Sequence, residues 1–411
     1  MPALLSVSEA LQNLLEAFQP VGCEQVGLPE AAGRVVAEDI RSRFDLPNFD
    51  NSTMDGFALR AADVNGACHE RPVLLDVVAD IPAGQPFSGT LTHGQAARIM
   101  TGAPLPAGSD AVIPVEDTNY SCLQAGAPVP IQVQVFRSVR VGDYVRVRGK
   151  DAREQDLLIP RGTRLRPQEI GILAMLGISS LQVYRQPRLA ILPTGDELIR
   201  VGDPLQPGKI YESNTYALTA QVEQSGGLAV PLGLIPDRLE SVREALDRAL
   251  NAKVDAILSS AGVSVGAYDF VRAAIEQDGK LSFWRVNMRP GKPVAFGFYR
   301  GTPFIGLPGN PTSAFVSFEV FVRPALLKLA GQSDWSRPSI RVELLDMVES
   351  DGRESYLRGM VTFRDGHAYA RLTGNQDSGN LRSLIQANAL LIIPNEVKCL
   401  PIGAEVQAWL F

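Results

Sequence analysis

The chain has 411 residues, too many for a single hydrophobic core, so several domains are expected. Hydrophobic residues make up 45% and charged residues 20%, which excludes a disordered or fibrous chain. The formal net charge of −6 argues against a nucleic-acid surface, so an anionic ligand must be held by a local cluster of donors helped by a divalent cation.

In chain order, Ser6-x-x-Glu9 is a capping-box pattern, and Leu4, Leu11, Leu14, Leu15 and Phe18 recur behind and around it with helical spacing. An amphipathic helix is therefore predicted near the amino terminus, followed by a short segment ending near Asp45-Leu46-Pro47. From 47 to about 144 the pattern changes to short β runs at 73–78, 97–100, 111–115 and 130–136, punctuated by Gly and Pro, which predicts a small β module. A helix opens at Pro167 within a mixed segment, 145–182. Apolar strands at 188–192, 229–235, 255–259 and 304–307 then alternate with helices at 214–225, 239–250, 270–276 and 311–329, with a hairpin across 283–298. Such alternation calls for a three-layer α/β domain around a mostly parallel sheet. The remaining β runs, at 340–345, 356–363, 390–393 and 406–410, predict a small carboxyl-terminal barrel.

The four cysteines lack CxxC spacing and the three histidines lack i,i+4 spacing, so neither a disulfide framework nor a zinc site is supported. A metal would be bound by oxygen, which points to Mg2+. The first basic side chain is Arg34 and no apolar run approaches the ~20 residues of a membrane span, so a soluble cytoplasmic protein is expected.

In parallel sheets ligands sit beyond the carboxyl ends of the strands. There the sequence places Pro193-Thr194-Gly195-Asp196-Glu197-Leu198, Pro236-Asp237, a Gly-rich run from Ser259 to Asp269 that includes Ser264, and Gly306-Leu307-Pro308-Gly309-Asn310-Pro311-Thr312-Ser313. The last has the composition of an anion seat at a helix N-terminus, with Gly309, Asn310 and Ser313 as candidate contacts. It is neither a Walker A loop nor a GxGxxG fingerprint. Arg289-Pro290-Gly291-Lys292-Pro293 puts two cations on a stiff hairpin, suited to a tetrahedral oxyanion; a plain surface pair is the competing explanation. Glu197, Asp237 and Asp269 are carboxylates at three strand ends, where Mg2+ would bridge them to phosphate oxygens; helix capping competes with that role, for Asp237 above all. A further polar loop runs from Pro47 through Asn51, Asp55 and Gly56 to Ala58, and Thr101-Gly102-Ala103-Pro104 is a second polar spot in the same module.

Asn51-Ser52-x-Met54-Asp55-Gly56, Thr194-Gly195-Asp196-Glu197-Leu198, Gly262-Val263-Ser264-Val265-Gly266, Arg289-Pro290-Gly291-Lys292-Pro293 and Gly306-Leu307-Pro308-Gly309-Asn310-Pro311 occur in this order, and the set resembles the molybdopterin molybdenumtransferases of the MoeA and gephyrin E-domain type over essentially the whole chain. The resemblance implies a Mog-like α/β domain at 183–330, a β module at 46–144, an elongated α+β linker domain built from 1–45 and 145–182, and the barrel at 331–411. It implies a homodimer whose composite active site pairs the α/β domain of one protomer with the Asp55 module of the other, and transient contacts with other cofactor-biosynthesis proteins. The implied reaction inserts molybdenum from molybdate into adenylylated molybdopterin, with Mg2+-dependent hydrolysis of the adenylate and release of AMP. The functional positions carried over are Asp55, Thr101, Arg146, Asp151, Glu197, Asp237, Asp269, Arg289, Lys292 and Ser378, with Glu197 and Asp269 as metal ligands. Ala261 and Ala267 depart from the family pattern, which expects Gly and an acid there. Two rival readings are adenylyl transfer to molybdopterin and a non-enzymatic dimeric scaffold.

Overall fold

The computed structural model describes residues 4–120, 128–262, 270–283 and 285–411, which fall into two compact units. One comprises residues up to 38, 161–173 and 178–411; the other comprises 39–160 with 174–177.

In the first unit the central strands are apolar at almost every position, and their two-residue period decides the layering. Leu189 and Ile191 of the Arg188–Pro193 strand enter one core, whereas Ala190 and Leu192 enter another. Leu258, Ile305 and Leu307 join the first set, and Ile257 and Phe304 the second. A strand buried on both sides needs helices on both faces. Helices Asn214–Gln224, Pro311–Ser317 and Arg323–Leu329 cover one face together with the amino-terminal helix Val7–Glu16, and helices Leu239–Asn251 and Phe270–Asp278 cover the other. The sheet runs Leu228–Pro231, Arg188–Pro193, Ala256–Ser260, Thr302–Leu307, Ala295–Tyr299, Gly279–Phe283. Its first four strands pair in parallel, and Ala295–Tyr299 pairs antiparallel with both of its neighbours.

Three local expectations are modified. The strand expected at 229–235 stops at Pro231, which has no N–H to donate, and Ile235 touches the sheet only through a bridge to Thr194. The helix expected at 311–329 is interrupted by a π-helical turn, Phe318–Val322, just before Pro324, whose ring and missing N–H disrupt regular α-bonding. The expected hairpin forms by antiparallel pairing of Gly279–Phe283 with Ala295–Tyr299, but Arg289–Lys292 lies between its arms: Val286 and Met288 are drawn into the core, and Met288–Arg289 pairs in parallel with Glu354–Ser355. The amino-terminal helix forms as its pattern indicates, with Ser6 as N-cap, a complete capping box with Glu9, and Leu14 and Phe18 buried. Leu4, by contrast, is exposed.

The carboxyl-terminal strands Ser339–Leu344, His367–Leu372, Glu354–Arg364, Ala389–Ile393 and Glu405–Leu410 pair in a ring, closing a five-stranded barrel. Closure leaves no free sheet edge and encloses a core that includes Val342, Leu357, Leu391 and Val406.

The second unit holds a five-stranded sheet ordered Ala111–Pro114, Gly56–Leu59, Gln95–Ile99, Val73–Ile81, Gln132–Val135. Its second strand, Gly56–Leu59, is wholly buried between Ala111–Pro114 and Gln95–Ile99, sending Phe57 and Leu59 to one face and Ala58 to the other. No helix among the described residues is long and apolar enough to cross a membrane. Gly56 begins this strand where the neighbouring Ala111–Pro114 strand leaves no room: an added Cβ would lie 1.9 Å from the Ile113 carbonyl oxygen. Gly56→Ala should therefore destabilise this unit by about 2–3 kcal/mol. Denaturant unfolding followed by a probe in the second unit checks this; a loss under roughly 0.5 kcal/mol would contradict it.

Candidate functional site

Strands Arg188–Pro193, Ala256–Ser260 and Thr302–Leu307 end side by side, with Pro193 opposite Ser260 and Ser260 opposite Leu307. The loops that follow consequently converge. They bound a cavity of about 430 Å3 lined by Thr194, Glu197, Glu212, Asn214, Ser260, Ala261, Gly309 and Asn310, among others. Asn214 opens its helix here and knits the loops together, its Nδ2 donating to Ser260 Oγ and to the Gly309 carbonyl, both at 2.7 Å. Gly195 has φ +150°, and a Cβ there would meet Glu197 Oε2 at 2.6 Å, so the Thr194–Leu198 turn depends on glycine. Ala261, found where the family pattern has glycine, adopts φ +85°, so the left-handed conformation is kept without the residue that best tolerates it.

The acids at the strand ends crowd one another. Burial and then the charges of Asp196 and Glu197 push the Asp237 carboxyl above its usual range, against a hydrogen bond from the Asp196 backbone. Asp237 does not cap a helix: Arg238 holds that position, and no side chain caps there. Asp237 stands beside the cavity rather than in its lining. All these donors are oxygens, and no group of three His, Cys, Asp or Glu side chains among the described residues is arranged to hold a metal alone. That donor set fits a hard cation completing its shell with ligand phosphate oxygens and water, as Mg2+ does.

A second cavity, of about 320 Å3, adjoins the first, sharing Pro293, Pro308 and Asn310 in its lining. It is bounded by Arg289, Lys292 and Ser313 from the α/β layer and by Arg353, Gln376, Asp377 and Ser378 from the barrel region. The Arg289 and Lys292 side chains meet no carboxylate among the described residues. Asn310 Nδ2 donates to Ser378 Oγ at 2.8 Å, and the Thr312 N–H donates to the Ser378 carbonyl at 3.2 Å. The helix N-terminus expected as an open anion seat is therefore partly spent: one of its N–H groups holds the Ser378 loop, and the buried Thr312 hydroxyl has no partner among the described residues. Behind this loop lies Arg358, fully buried, donating to Ser383 Oγ at 3.0 Å and to the Asp377 carbonyl at 3.1 Å. Burial, then the neighbouring charge of Arg289, brings its guanidinium down to about 10. Three arginines and a lysine thus gather around or behind one small cavity, an arrangement suited to a tetrahedral oxyanion.

In the second unit Asp55 Oδ1 accepts from both the N–H and the hydroxyl of Thr101, at 2.7 and 2.8 Å. This fixes the carboxylate and leaves Oδ2 without a donor among the described residues. Arg146 forms an ion pair with Asp151. Of the residues named from the sequence, the first cavity brings together Thr194, Glu197, Gly309 and Asn310, and the second Arg289, Lys292, Asn310, Ser313 and Ser378. Gly195 shapes the rim and Asp237 lies beside it. Asp55, Thr101, Arg146 and Asp151 form two pairs in the second unit, while Ser264 and Asp269 lie outside the described residues. Sequence reasoning missed Glu212, Asn214, Arg353 and Arg358. The acid and polar residues just before the 214–225 helix were a visible signal for the first two; the barrel arginines carried none.

Three family models match in succession: the MoeA N-terminal region (domain I and II) over residues 5–177, the "Probable molybdopterin binding domain" over 190–328, and the MoeA C-terminal region (domain IV) over 341–411. The chain is 39% identical to a protein named molybdopterin molybdenumtransferase from Nostoc sp., the match covering 99% of this chain and 93% of that one. It is 35% identical to a protein of the same name from Haemophilus influenzae, over 96% and 95%. The crystal structure of the molybdopterin biosynthesis moeA protein from Pyrococcus horikoshii OT3 superposes over 100% of both chains, with a TM-score of 0.84 and 31% identity. By sequence over its whole length and by fold, the chain belongs to the MoeA family of molybdopterin molybdenumtransferases.

Proposed function

We propose that this chain inserts molybdenum from molybdate into adenylylated molybdopterin and releases AMP, completing molybdenum cofactor biosynthesis. The observation that carries the reading is the pair of adjoining cavities at the strand ends, one lined by carboxylates and amides, the other by Arg289 and Lys292, which form no ion pair among the described residues. A phosphate-bearing substrate and a free oxyanion need such separate seats, because two anions in one cavity would repel each other.

In this reading Glu197, with Asp269, would hold Mg2+, which supplies charge neutralisation on the phosphate oxygens when bound. Arg289 and Lys292 offset the charge of molybdate, and Ser313, Asn310 and Ser378 offer it hydrogen bonds. Asp55 and Thr101, with Arg146 and Asp151, complete the site from a second copy of the chain, in a homodimer borne on the domain built from 1–45 and 145–182. The fixed Asp55 carboxylate, with one oxygen unused, supports that role. No covalent nucleophile is required, so catalysis is positioning plus electrostatics. A cytoplasmic setting accords with the free, exposed Cys23, Cys68 and Cys399.

The test is AMP release from adenylylated molybdopterin with Mg2+, with and without molybdate. Release should depend on molybdate; Glu197→Gln should slow it about 100-fold, and Lys292→Ala should raise the molybdate concentration at half-maximal rate about tenfold or more with a smaller change in kcat. Release indifferent to molybdate, or unchanged in both variants, would refute the proposal.

The crowded acids give a second prediction. Because the folded-state pKa of Asp237 is raised, its contribution to stability is fully present below the unfolded value and is lost as pH rises through the folded value. Asp237→Asn should accordingly be more stable than the parent at neutral pH, with the difference vanishing as pH falls toward 3.8. Thermal midpoints of both proteins across that range measure it; a variant less stable at pH 7 would contradict the assignment. The composite site predicts that mixing Glu197→Ala and Asp55→Ala protomers restores part of the activity each lacks alone, through heterodimers with one intact site. Absence of recovery after confirmed subunit exchange would place Asp55 outside the site.

A further inference from the structure

Glu212 lines the strand-end cavity, yet it is only 5% exposed. Its Oε1 accepts from the Thr215 N–H at 2.7 Å, which caps the following helix; its Oε2 meets no donor among the described residues. A buried carboxylate facing a cavity that receives a phosphate-bearing ligand is costly unless the ligand offers it N–H donors. Just before Glu212, Ile210 and Tyr211 line the same cavity, and the Tyr211 hydroxyl is pinned to the Asp203 carbonyl at 2.9 Å. An aliphatic side chain and a fixed aromatic ring thus stand beside an acceptor-only group, a combination that suits a flat heterocycle with N–H groups on one edge.

We propose that Glu212 reads the 2-amino-4-oxo edge of a pterin ring, accepting from its ring N3–H and exocyclic amino group. The inference rests on the reading of this cavity as the seat of a molybdopterin substrate, and it adds the residue that selects the ring. Molybdopterin carries this edge far from the atoms that react, so Glu212 acts in binding and specificity.

The test is calorimetric titration of the full-length chain with 6-hydroxymethylpterin phosphate and with the matching lumazine phosphate, in which a 2-oxo group replaces the 2-amino group. The parent should bind the pterin at least about tenfold more tightly, since the lumazine keeps the ring N3–H but turns a carbonyl oxygen toward the carboxylate where the pterin offers its amino group. Glu212→Gln keeps an oxygen for the Thr215 N–H, so its thermal midpoint should be unchanged, but its amide presents N–H where the ring also presents N–H. The variant should lose the preference or reverse it in favour of the lumazine. A parent chain that binds both ligands equally, or a variant that weakens both by the same factor, overturns the role of Glu212 while leaving the molybdopterin reading standing. A parent chain that binds neither ligand overturns both.

Discussion

The central strands of the α/β layer are buried on both faces, and this burial dictates where chemistry can occur. Leu189, Ile191, Leu258 and Ile305 pack one way, and Ala190, Leu192, Ile257 and Phe304 the other, so no polar side chain can be placed along the strands without cost. Polar function is thereby confined to their ends, and because the strands run in parallel, three of those ends lie together. Glu197, Ser260, Gly309 and Asn310 become neighbours for this reason, although more than a hundred residues separate the first from the last.

A second constraint comes from the barrel. Its closure gives a rigid body against which the Met288–Arg289 segment pairs, and Arg358 is buried within it to hold the Asp377–Ser378 loop. The two cavities consequently differ in sign: α/β loops supply acids and amides to one, while barrel residues add cations to the other. Arg289 and Lys292 are thereby left without a carboxylate partner among the described residues, and burial, followed by neighbouring like charge, displaces the ionisation of Asp237 and Arg358 at an electrostatic cost. Substrate anions and a cation would relieve it.

Much of the α/β architecture was legible because its signals are local: continuous apolar strands, helical periodicity, and glycine or proline at the turns. The barrel was legible as β runs. What escaped were features set by tertiary packing. Met288–Arg289 lies between the hairpin's arms and pairs with Glu354–Ser355, with Val286 and Met288 drawn into the core, and the π-helical turn before Pro324 breaks a helix whose apolar pattern is unbroken. In the site, motifs at strand ends marked Thr194, Glu197, Arg289, Lys292 and Asn310, since glycine and proline beside polar residues signal a loop with a task. Arg353 stands in the bend before the Glu354–Arg364 strand and Arg358 within it, in ordinary sequence, and both acquire meaning only through what they face. Glu212 went unnoticed because an acid just ahead of a helix is ordinary there, and it does accept from the Thr215 N–H of that helix's first turn.

The central claim is that oxyanion and nucleotide occupy different, adjoining cavities at the strand ends. Anomalous diffraction at the molybdenum edge, from crystals soaked with molybdate, AMP and Mg2+, tests it directly. The account predicts a molybdenum peak among Arg289, Lys292 and Ser378, with the AMP phosphate and Mg2+ beside Glu197. A peak beside Glu197 and Glu212, or occupation of neither cavity, would contradict it.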